Sequence, residues 1–451
     1  MKVIYLDKFI QNRNLEKVFG VDYFSEIRIG NSSTFKIISN DIEYQNGFQK
    51  IAVEDLPCQD DNENCIVITS NIFYADKNSF KLFFKSLKNI VIDTFWGDTN
   101  NFIYKGKLSS LKKILNAEKH SAYVVELPSI FYKLNSLFSF KQLLAESHST
   151  RFFNQIKKKG KIIIKKSSDK VKLKSEYDFL SNIPKKLSHH YAQVYSFNEL
   201  KNHSQYEVKS YDMLDFSYQL INDMIDKTDV ENFFSIVKSF LADSVIKKVD
   251  KKNTDFNDLL LKNEKRFNLL KQFDFFDDLN KFCETYADFS LNNHFQNLQS
   301  LINDKKKYII NSNQIFSHGD LCFSNILFDK EVLEIKLIDP RGYENKGLRT
   351  PYYDVAKLSH SALGYYDLII NDLCEIKMNN NMRCFLDFKK NISNIGFKLC
   401  LKNMANSLNL DYKTIRIVES SLFLSMLPLH KENLKKVYML ALRSKEILEE
   451  I

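Results

Sequence analysis

The sequence has few of the residues that interrupt helices and strands. Its 451 residues include only 11 glycines and 6 prolines, a scarcity that favours long helices and few flexible linkers. No continuous apolar run approaches the roughly 20 residues that are needed to cross a bilayer. The first residues also lack the apolar core and the small-residue cleavage site of a signal peptide. These absences predict a cytoplasmic protein without a membrane span.

Cysteine pairs and a strong charge excess are lacking as well. The seven cysteines are scattered and never form Cys-x-x-Cys, so we expect reduced thiols rather than disulfides or a zinc site. The net charge of +9 comes from 65 basic and 56 acidic residues. This mild excess favours anionic ligands such as nucleotide phosphates, but even the run Lys157–Lys159 is weak support for nucleic-acid binding. We therefore expect no nucleic-acid partner.

Residues 1–142 show an α/β pattern. Short apolar runs predict strands, and phenylalanines at helical spacing predict a helix at Lys77–Leu87. The predicted strands are Lys2–Leu6, Cys65–Ser70, Asn89–Thr94 and Ala122–Leu127. The alternating order indicates a three-layer or Rossmann-like domain.

This N-terminal order also resembles a sugar-nucleotidyltransferase domain. Members of that family have a Gly-rich phosphate loop after the first strand, whereas Asp7–Arg13 contains no glycine. The resemblance therefore implies a degenerate domain that has lost its nucleotide site. We assign no activity to residues 1–142, and their role is unknown.

The pattern changes near residue 145 to a small antiparallel sheet with one helix. Apolar runs on either side of a hairpin turn at Lys157–Gly160 predict strands, and Lys172–Ser181 predicts a helix that stops before Pro184. The strands predicted after the turn are Lys161–Lys166, Tyr191–Phe197 and Gln205–Tyr211. The remaining residues, 215–451, have a helical pattern apart from a polar loop at 316–342.

The polar loop carries the strongest chemical signal in the chain. Asp320 and Asn325 are five residues apart, and Asp339 lies fourteen residues further on. A phosphoryl-transfer enzyme needs such a set: a carboxylate that orients the accepting hydroxyl, an amide oxygen for a metal ion, and a second carboxylate for the same metal site. The apolar residues between them would anchor the loop in a core.

The segments His318–Leu327 and Ile338–Gly342 resemble the aminoglycoside phosphotransferase/choline kinase family of small-molecule kinases. More narrowly, Tyr353–Ser361 resembles the kinases of capsule and surface-polysaccharide gene clusters. The resemblance covers about residues 145 to 370 well, the C-terminal helices loosely and the first 140 or so not at all.

The resemblance implies an α+β, two-lobed protein-kinase-like fold. Its small antiparallel β lobe would span 143–214, and its helical lobe 215–451. It also implies ATP and Mg²⁺ as cofactors and a small-molecule hydroxyl as the acceptor. A sugar or polyol-like precursor of capsule or surface polysaccharide is the expected acceptor.

The resemblance gives each residue of the polar loop a role. Asp320 matches the catalytic aspartate, and Asn325 and Asp339 match the metal ligands. His318 and Gly319 match the start of the loop, where the histidine supports the structure and the glycine permits a tight turn. Asp354, further on, is expected to be a structural carboxylate that caps a helix or ties down the loop.

The nucleotide site would come mainly from the β lobe. Lys165 matches the lysine that binds the phosphates, with Glu176 as its ion-pair partner. Lys166 is the competing choice, because adjacent strand residues face opposite sides of a sheet. Ser149 and Thr150 occupy the place of the phosphate-covering loop. The segment expected to hold the adenine through its backbone includes Val208, Lys209 and Met213.

Several alternatives stay open at this point. Arg341 would pair either with a substrate anion or with Glu344, and the structural pairing with Glu344 is favoured. The acceptor could instead be of the choline or aminoglycoside type. A pseudokinase or nucleotide-sensing scaffold would carry the same residues without turnover. A homodimer, and a preference for ATP or GTP, are also open.

Overall fold

The structure, a computed structural model, describes residues 2–11, 16, 19, 21–29, 32–42, 48–58, 64–74, 76–136, 139, 140, 143, 154–159, 161–246 and 254–451. Contacts within the chain divide it into two compact units, Met1–Phe152 and Phe153–Ile451. The predicted domain boundaries at 142/143 and 214/215 stay predictions. None of the helices in the described ranges is long and apolar enough to cross a membrane.

The first unit contains a mixed six-stranded sheet. Its elements are β1 (Lys2–Asp7), β2 (Arg28–Ile29), β3 (Ser32–Ser33), α1 (Thr34–Asp41), β4 (Phe48–Ala52), β5 (Asn64–Thr69), β6 (Ile72–Tyr74), α2 (Lys77–Ser86), β7 (Thr94–Asp98), β8 (Asn101–Lys107), α3 (Leu108–Leu115), β9 (Tyr123–Val125) and β10 (Phe131–Lys133). The strand order is β4-β1-β5-β8-β7-β9. Residues Val3–Leu6 of β1 are all buried, as expected for a central strand that is covered on both faces.

The sheet differs from the all-parallel sheet of a Rossmann-like domain. β1 is parallel to β4 and β5, whereas β8 is antiparallel to both β5 and β7. A two-residue turn at 99–100 joins β7 to β8, and so short a connection joins only antiparallel strands. The three-layer or Rossmann-like arrangement predicted for residues 1–142 is therefore not confirmed.

One predicted strand of this unit is wrong. Residues Leu87–Asn89 form a short 3-10 helix, and the strand begins only at Thr94. Val91 is 93% exposed and Ile92 55% exposed. The apolar run that suggested a strand therefore lies on the surface, because burial, and not β propensity alone, decides whether such a run joins a sheet.

The second unit begins with a four-stranded antiparallel sheet, as the sequence predicts. Its strands are β11 (Asn154–Lys159), β12 (Ile162–Ser167), β13 (Val194–Glu199) and β14 (Ser204–Lys209), in the order β11-β12-β14-β13. Helix α4 (Lys170–Ser181) follows β12. The carboxylate of Asp169 caps its first turn by accepting the backbone N–H of Lys172 at 3.0 Å, which fixes where the helix begins.

The rest of the second unit is mostly helical. Its helices are α5 (Phe216–Ile221), α6 (Lys227–Asp243), α7 (Thr254–Leu270), α8 (Phe276–Ala287), α9 (Leu291–Asp304), α10 (Lys306–Asn311), α11 (Pro351–Ala362), α12 (Tyr366–Ile370), α13 (Phe397–Ser407), α14 (Tyr412–Met426) and α15 (Leu434–Glu449). Its short strands are β15 (Leu214–Asp215), β16 (Val245–Ile246), β17 (Gln314–Phe316), β18 (Ile326–Asp329), β19 (Glu334–Leu337) and β20 (Leu348–Arg349). A hairpin of β21 (Cys374–Met378) and β22 (Cys384–Phe388) interrupts the C-terminal region, which the sequence predicted to be helical throughout.

A cluster of aromatic side chains joins the helices to the polar loop. Phe216 of α5 stacks on Phe233 of α6, with ring centroids 3.7 Å apart. Both rings meet Phe323 of the loop edge-on. The loop is thus fixed in a packed core, where a change of even one methylene group is felt.

Candidate active site

A β-hairpin holds the polar loop in place. A single 3-10 turn, Phe323–Asn325, leads into the hairpin of β18 and β19. The backbone N–H of Ile338 donates to the carbonyl of Asn325 at 3.0 Å, so the hairpin brings Asn325 beside the residue that precedes Asp339. The apolar residues predicted to anchor the loop are buried: Leu321, Phe323, Ile326 and Leu327.

Asp354 ties down the start of the loop. Its two carboxylate oxygens accept the backbone N–H groups of His318 and Gly319 at 2.8 and 2.7 Å. The buried His318 ring contacts the carbonyl of Ile338 through Nε2 at 2.9 Å, and its Nδ1 accepts the backbone N–H of Asp320 at 3.3 Å. Burial lowers the pKa of His318, in keeping with a neutral ring that donates from Nε2 and accepts at Nδ1.

Two residues of the loop have backbone angles in the left-handed region. Gly319 has a φ of 75°, and a Cβ atom at this position would lie 2.7 Å from Cβ of Arg341. Only glycine therefore fits there without a shift. Asp339 has a φ of 55°, a conformation that costs a non-glycine residue about 1–3 kcal/mol and often marks functional sites.

Lys165 joins the β lobe to the polar loop. Its Nζ lies 2.6 Å from Oε1 of Glu176 on α4 and 2.8 Å from Oδ1 of Asp339. Burial opposes the charge on Lys165, but the Asp339 and Glu176 carboxylates outweigh it and raise the pKa of Lys165. The hydroxyl of Tyr206 also donates to Glu176.

Lys165 and Glu176 are buried, whereas Asp339, at the other end of this chain of ion pairs, is exposed. The side chains of Lys165 and Glu176 are each 7% exposed, whereas that of Asp339 is 49% exposed. The neighbouring Lys166 is only half-buried and points to the opposite face of the sheet. Lys165, and not Lys166, therefore reaches the polar loop.

Asp320 has a partner that the sequence analysis missed. Nζ of the buried Lys357 on α11 lies 2.9 Å from Oδ1 of Asp320. Burial alone would raise the pKa of Asp320, but the positive charge of Lys357 more than offsets this and lowers it. Lys357 follows Asp354 by three residues, so both lie on the same helix face. That spacing was the signal that could have identified Lys357.

Asn325 and Asp339 together offer oxygen ligands for a cation. Nδ2 of Asn325 donates to the carbonyl of Asp320 at 2.9 Å, which leaves its amide oxygen as the side-chain atom that can bind a metal ion. Among the described residues, no group of three or more His, Cys, Asp or Glu side chains could hold a metal ion. This donor set suits Mg²⁺, which is typically bound by one or two protein oxygens together with substrate phosphates.

The predicted adenine segment lies at the end of β14. Val208 pairs with Ile163 and Val194 inside the sheet. Lys209 is exposed, and its backbone N–H donates to the carbonyl of Gln193 at 2.8 Å, so this N–H is already used. Met213 is buried just before β15. The predicted phosphate-loop residues, Ser149 and Thr150, lie outside the described residues.

Arg341 does not form the favoured pair with Glu344. Glu344 instead lies 3.5 Å from Arg349. The guanidinium carbon of Arg341 lies 5.4 Å from the ring centroid of Tyr353. The backbone N–H of Arg341 donates to the carbonyl of His318 at 2.9 Å. The prediction failed because the long-range packing of α11 against the loop has no signal in the local sequence.

Comparisons with known proteins give structural neighbours but no sequence relatives. No protein-family profile and no curated protein matches the chain. A choline kinase from Cryptosporidium parvum Iowa II is similar at 11% identity, with 66% of this chain and 86% of that chain covered and a TM-score of 0.37. An aminoglycoside-3'-phosphotransferase of type VIII matches at 11% identity over 58% of this chain and 84% of that chain, with a TM-score of 0.35.

A third solved structure is a thermostable aminoglycoside phosphotransferase mutant in a ternary complex with AMP-PNP and hygromycin B. It matches at 10% identity over 69% of this chain and 98% of that chain, with a TM-score of 0.41. All three TM-scores lie below 0.5, so the case for a function rests on the residues of the site.

Proposed function

We propose that the protein is an ATP- and Mg²⁺-dependent small-molecule kinase that phosphorylates a hydroxyl group. The observation that carries the proposal is the contact of Lys165 with both Glu176 and Asp339. Kinases use a strand lysine, held by a helix glutamate, to bind nucleotide phosphates beside a metal-binding aspartate. In this protein Lys165 and Glu176 come from the consecutive elements β12 and α4, whereas Asp339 comes from the polar loop, 174 residues after Lys165.

Lys165 binds the phosphates as a buried cation in this proposal. Glu176 keeps the ammonium group of Lys165 oriented, because both side chains are buried and the ion pair holds them together. Asn325 and Asp339 would hold Mg²⁺, which neutralises phosphate charge when it is bound. Asp339 is exposed enough to reach a ligand while it keeps its contact with Lys165.

Asp320 orients the acceptor hydroxyl. Its carboxylate is held ionised by Lys357, so it accepts a hydrogen bond from the hydroxyl and positions the oxygen for attack. The acceptor oxygen forms a bond to the γ-phosphorus while the bond between that phosphorus and the bridging oxygen breaks. The products are ADP, the phosphorylated acceptor and one proton.

We further propose a chemical class for the acceptor. The resemblance of Tyr353–Ser361 to capsule-cluster kinases supports a sugar or polyol-like precursor of surface polysaccharide, phosphorylated in the cytoplasm. A choline- or aminoglycoside-type acceptor is the alternative. A nucleotide-sensing scaffold without turnover is the alternative to catalysis, and a homodimer stays an untested prediction.

ADP release with ATP, Mg²⁺ and a panel of sugars and polyols tests the proposed function. We expect acceptor-dependent ADP release that Asp320→Ala abolishes. The matched control is Glu331→Gln, which alters an exposed carboxylate at the turn between β18 and β19, and it should retain activity. Nucleotide binding without turnover on any acceptor would contradict the enzyme and favour the scaffold.

A further inference from the structure

A cavity rich in positive charge adjoins the polar loop. Its volume is about 570 Å³, and it lies between α7, α11 and the segment 341–350. The acidic residues among its described lining are Asp258 and Glu344. The basic ones are Lys262, Lys265, Arg266, Arg341 and Arg349. Basic residues thus outnumber acidic ones by five to two in the described lining, and a concave site with an excess of positive charge attracts and concentrates anionic ligands.

Two of these cations have no carboxylate partner within the described part of the chain. The ammonium group of Lys262 donates to the hydroxyl of Tyr353, and it lies 4.9 Å from the ring centroid. Arg341 packs over the same ring. Within the described ranges, no carboxylate oxygen lies within 4.0 Å of the charged nitrogen atoms of Lys262 or Arg341, whereas Arg349 is paired with Glu344.

The positive charges around Tyr353 act on one another. Burial lowers the pKa of Lys262, and the charges of Arg341 and Lys357 lower it further. Burial would raise the pKa of Tyr353, yet Lys262, Lys357 and Arg341 together lower it to about 8. Partly buried cations without counter-ions are unfavourable, so an anion bound among them would relieve their repulsion.

Neighbouring residues connect the basic residues Arg341 and Lys262 to Asp320. Within the polar loop, the backbone N–H of Arg341 donates to the carbonyl of His318, and the Arg341 side chain packs against Gly319. Tyr353 and Lys357 lie four residues apart on α11, a spacing at which Cβ atoms are about 5–6 Å apart. Lys357 in turn binds Asp320. The charge of Lys262 also contributes to the lowered pKa of Asp320. An anionic group beside Arg341 and Lys262 would therefore lie near the carboxylate that orients the hydroxyl.

We propose that this cavity is the acceptor site and that the acceptor carries a phosphate or carboxylate group in addition to the hydroxyl that is phosphorylated. The inference rests on the proposed kinase function and narrows its substrate class to anionic sugars or polyols. The transfer itself is unchanged: the hydroxyl oxygen gains the γ-phosphoryl group, and ADP and a proton leave. Choline and polycationic aminoglycosides are disfavoured, because Lys262 and Arg341 would repel them.

Matched acceptor panels test the substrate class. Hexose monophosphates, hexuronic acids, the neutral parent hexoses and cationic amino sugars are compared for acceptor-dependent ADP release. We expect the lowest KM of the four groups for either the hexose monophosphates or the hexuronic acids. This KM should rise with ionic strength, because salt screens the attraction between opposite charges. The phosphate and carboxylate panels distinguish the two anionic groups. Preferential turnover of neutral or cationic acceptors would overturn the inference and leave the kinase function intact.

Variants of the cavity locate the anion. Arg341→Gln and Lys262→Met should each raise the KM for the anionic acceptor about 10- to 100-fold, with the KM for ATP unchanged. Lys281→Met is the control, because Lys281 is exposed on α8. An unchanged acceptor KM in both variants would rule out this cavity as the binding site.

Equilibrium binding separates failure of the inference from failure of the proposed function. Hexose monophosphates and hexuronic acids are titrated into the full-length protein without nucleotide. Salt-sensitive binding that Arg341→Gln weakens supports the anion site. If binding of this kind is seen but no acceptor is turned over, the anion site stands and only the proposed kinase function is contradicted. If neither panel binds and neither is turned over, the anion site is refuted.

Discussion

Lys357 Nζ lies 2.9 Å from Asp320 Oδ1, one turn along α11 from the carboxylate of Asp354 that binds the start of the same loop. A single buried helix face therefore both anchors the polar loop and sets the charge of its central carboxylate. Burial alone would raise the pKa of Asp320, and the Lys357 charge is what lowers it.

Removal of Lys357 should make activity sensitive to acid. In the unaltered protein the depressed pKa of Asp320 keeps the carboxylate ionised throughout a normal assay range. In Lys357→Met, burial dominates and the pKa of Asp320 rises, so activity should fall as the pH drops through this raised value. Profiles of kcat/KM against pH measure the shift. Lys413→Met, at an exposed position on α14, should keep the original profile, and identical profiles in both variants would contradict the assigned role.

Lys165 and Lys166 should differ sharply when each is replaced by methionine. Lys165→Met leaves Glu176 buried without its cation, which should lower the free energy of unfolding by about 3–5 kcal/mol and weaken ATP binding. Lys166→Met changes a half-buried residue and should alter stability by less than about 0.5 kcal/mol. Urea unfolding and nucleotide titration measure both effects.

The double variant Lys165→Met/Glu176→Gln separates stability from function. It removes the uncompensated carboxylate and should recover part of the lost free energy of unfolding. ATP binding should stay weak, because the phosphate-binding cation is still absent. Recovery of ATP affinity along with stability would show that Lys165 has only a structural role.

Gly319 and Gly396 offer a matched pair for the packing of the loop. Both have a positive φ, but a Cβ on Gly319 would lie 2.7 Å from Arg341, whereas on Gly396 the nearest atom is 3.8 Å away. Gly396→Ala should cost about 1 kcal/mol through backbone conformation alone. Gly319→Ala should cost about 1–3 kcal/mol more through overpacking and should also reduce kcat. Equal losses of stability would contradict the close contact.

Asp339 and Asp320 should have separable effects on the metal requirement. Asp339→Asn removes a charged ligand and should raise the Mg²⁺ concentration for half-maximal activity on the order of tenfold or more. Asp320→Asn should lower kcat on the order of 10²- to 10⁴-fold without changing that concentration. Titrations of activity with Mg²⁺ measure both, and a Mg²⁺ dependence altered equally in both variants would contradict the assignment.

Predictions from the sequence succeeded where the contacts are local. The four-stranded antiparallel sheet, helix α4 and the buried anchors of the polar loop occur as the residue pattern indicates. Asp320 and Asn325 are joined by a hydrogen bond across five residues, and a short hairpin brings Asn325 beside the residue before Asp339. Such a loop is specified by its own spacing, because few conformations satisfy its backbone groups and bury its apolar ones.

By itself, the sequence determined the polar loop, the spacing of Asp320, Asn325 and Asp339 within it, and the strand that carries Lys165. Only the tertiary structure decided which neighbouring lysine reaches Asp339, since that depends on the face of β12. It also placed Lys357 against Asp320 and gathered Lys262 and Arg341 around Tyr353. These contacts join segments that are distant in the chain, and their geometry follows from how α7 and α11 pack around a shared core, which the local residue pattern does not encode.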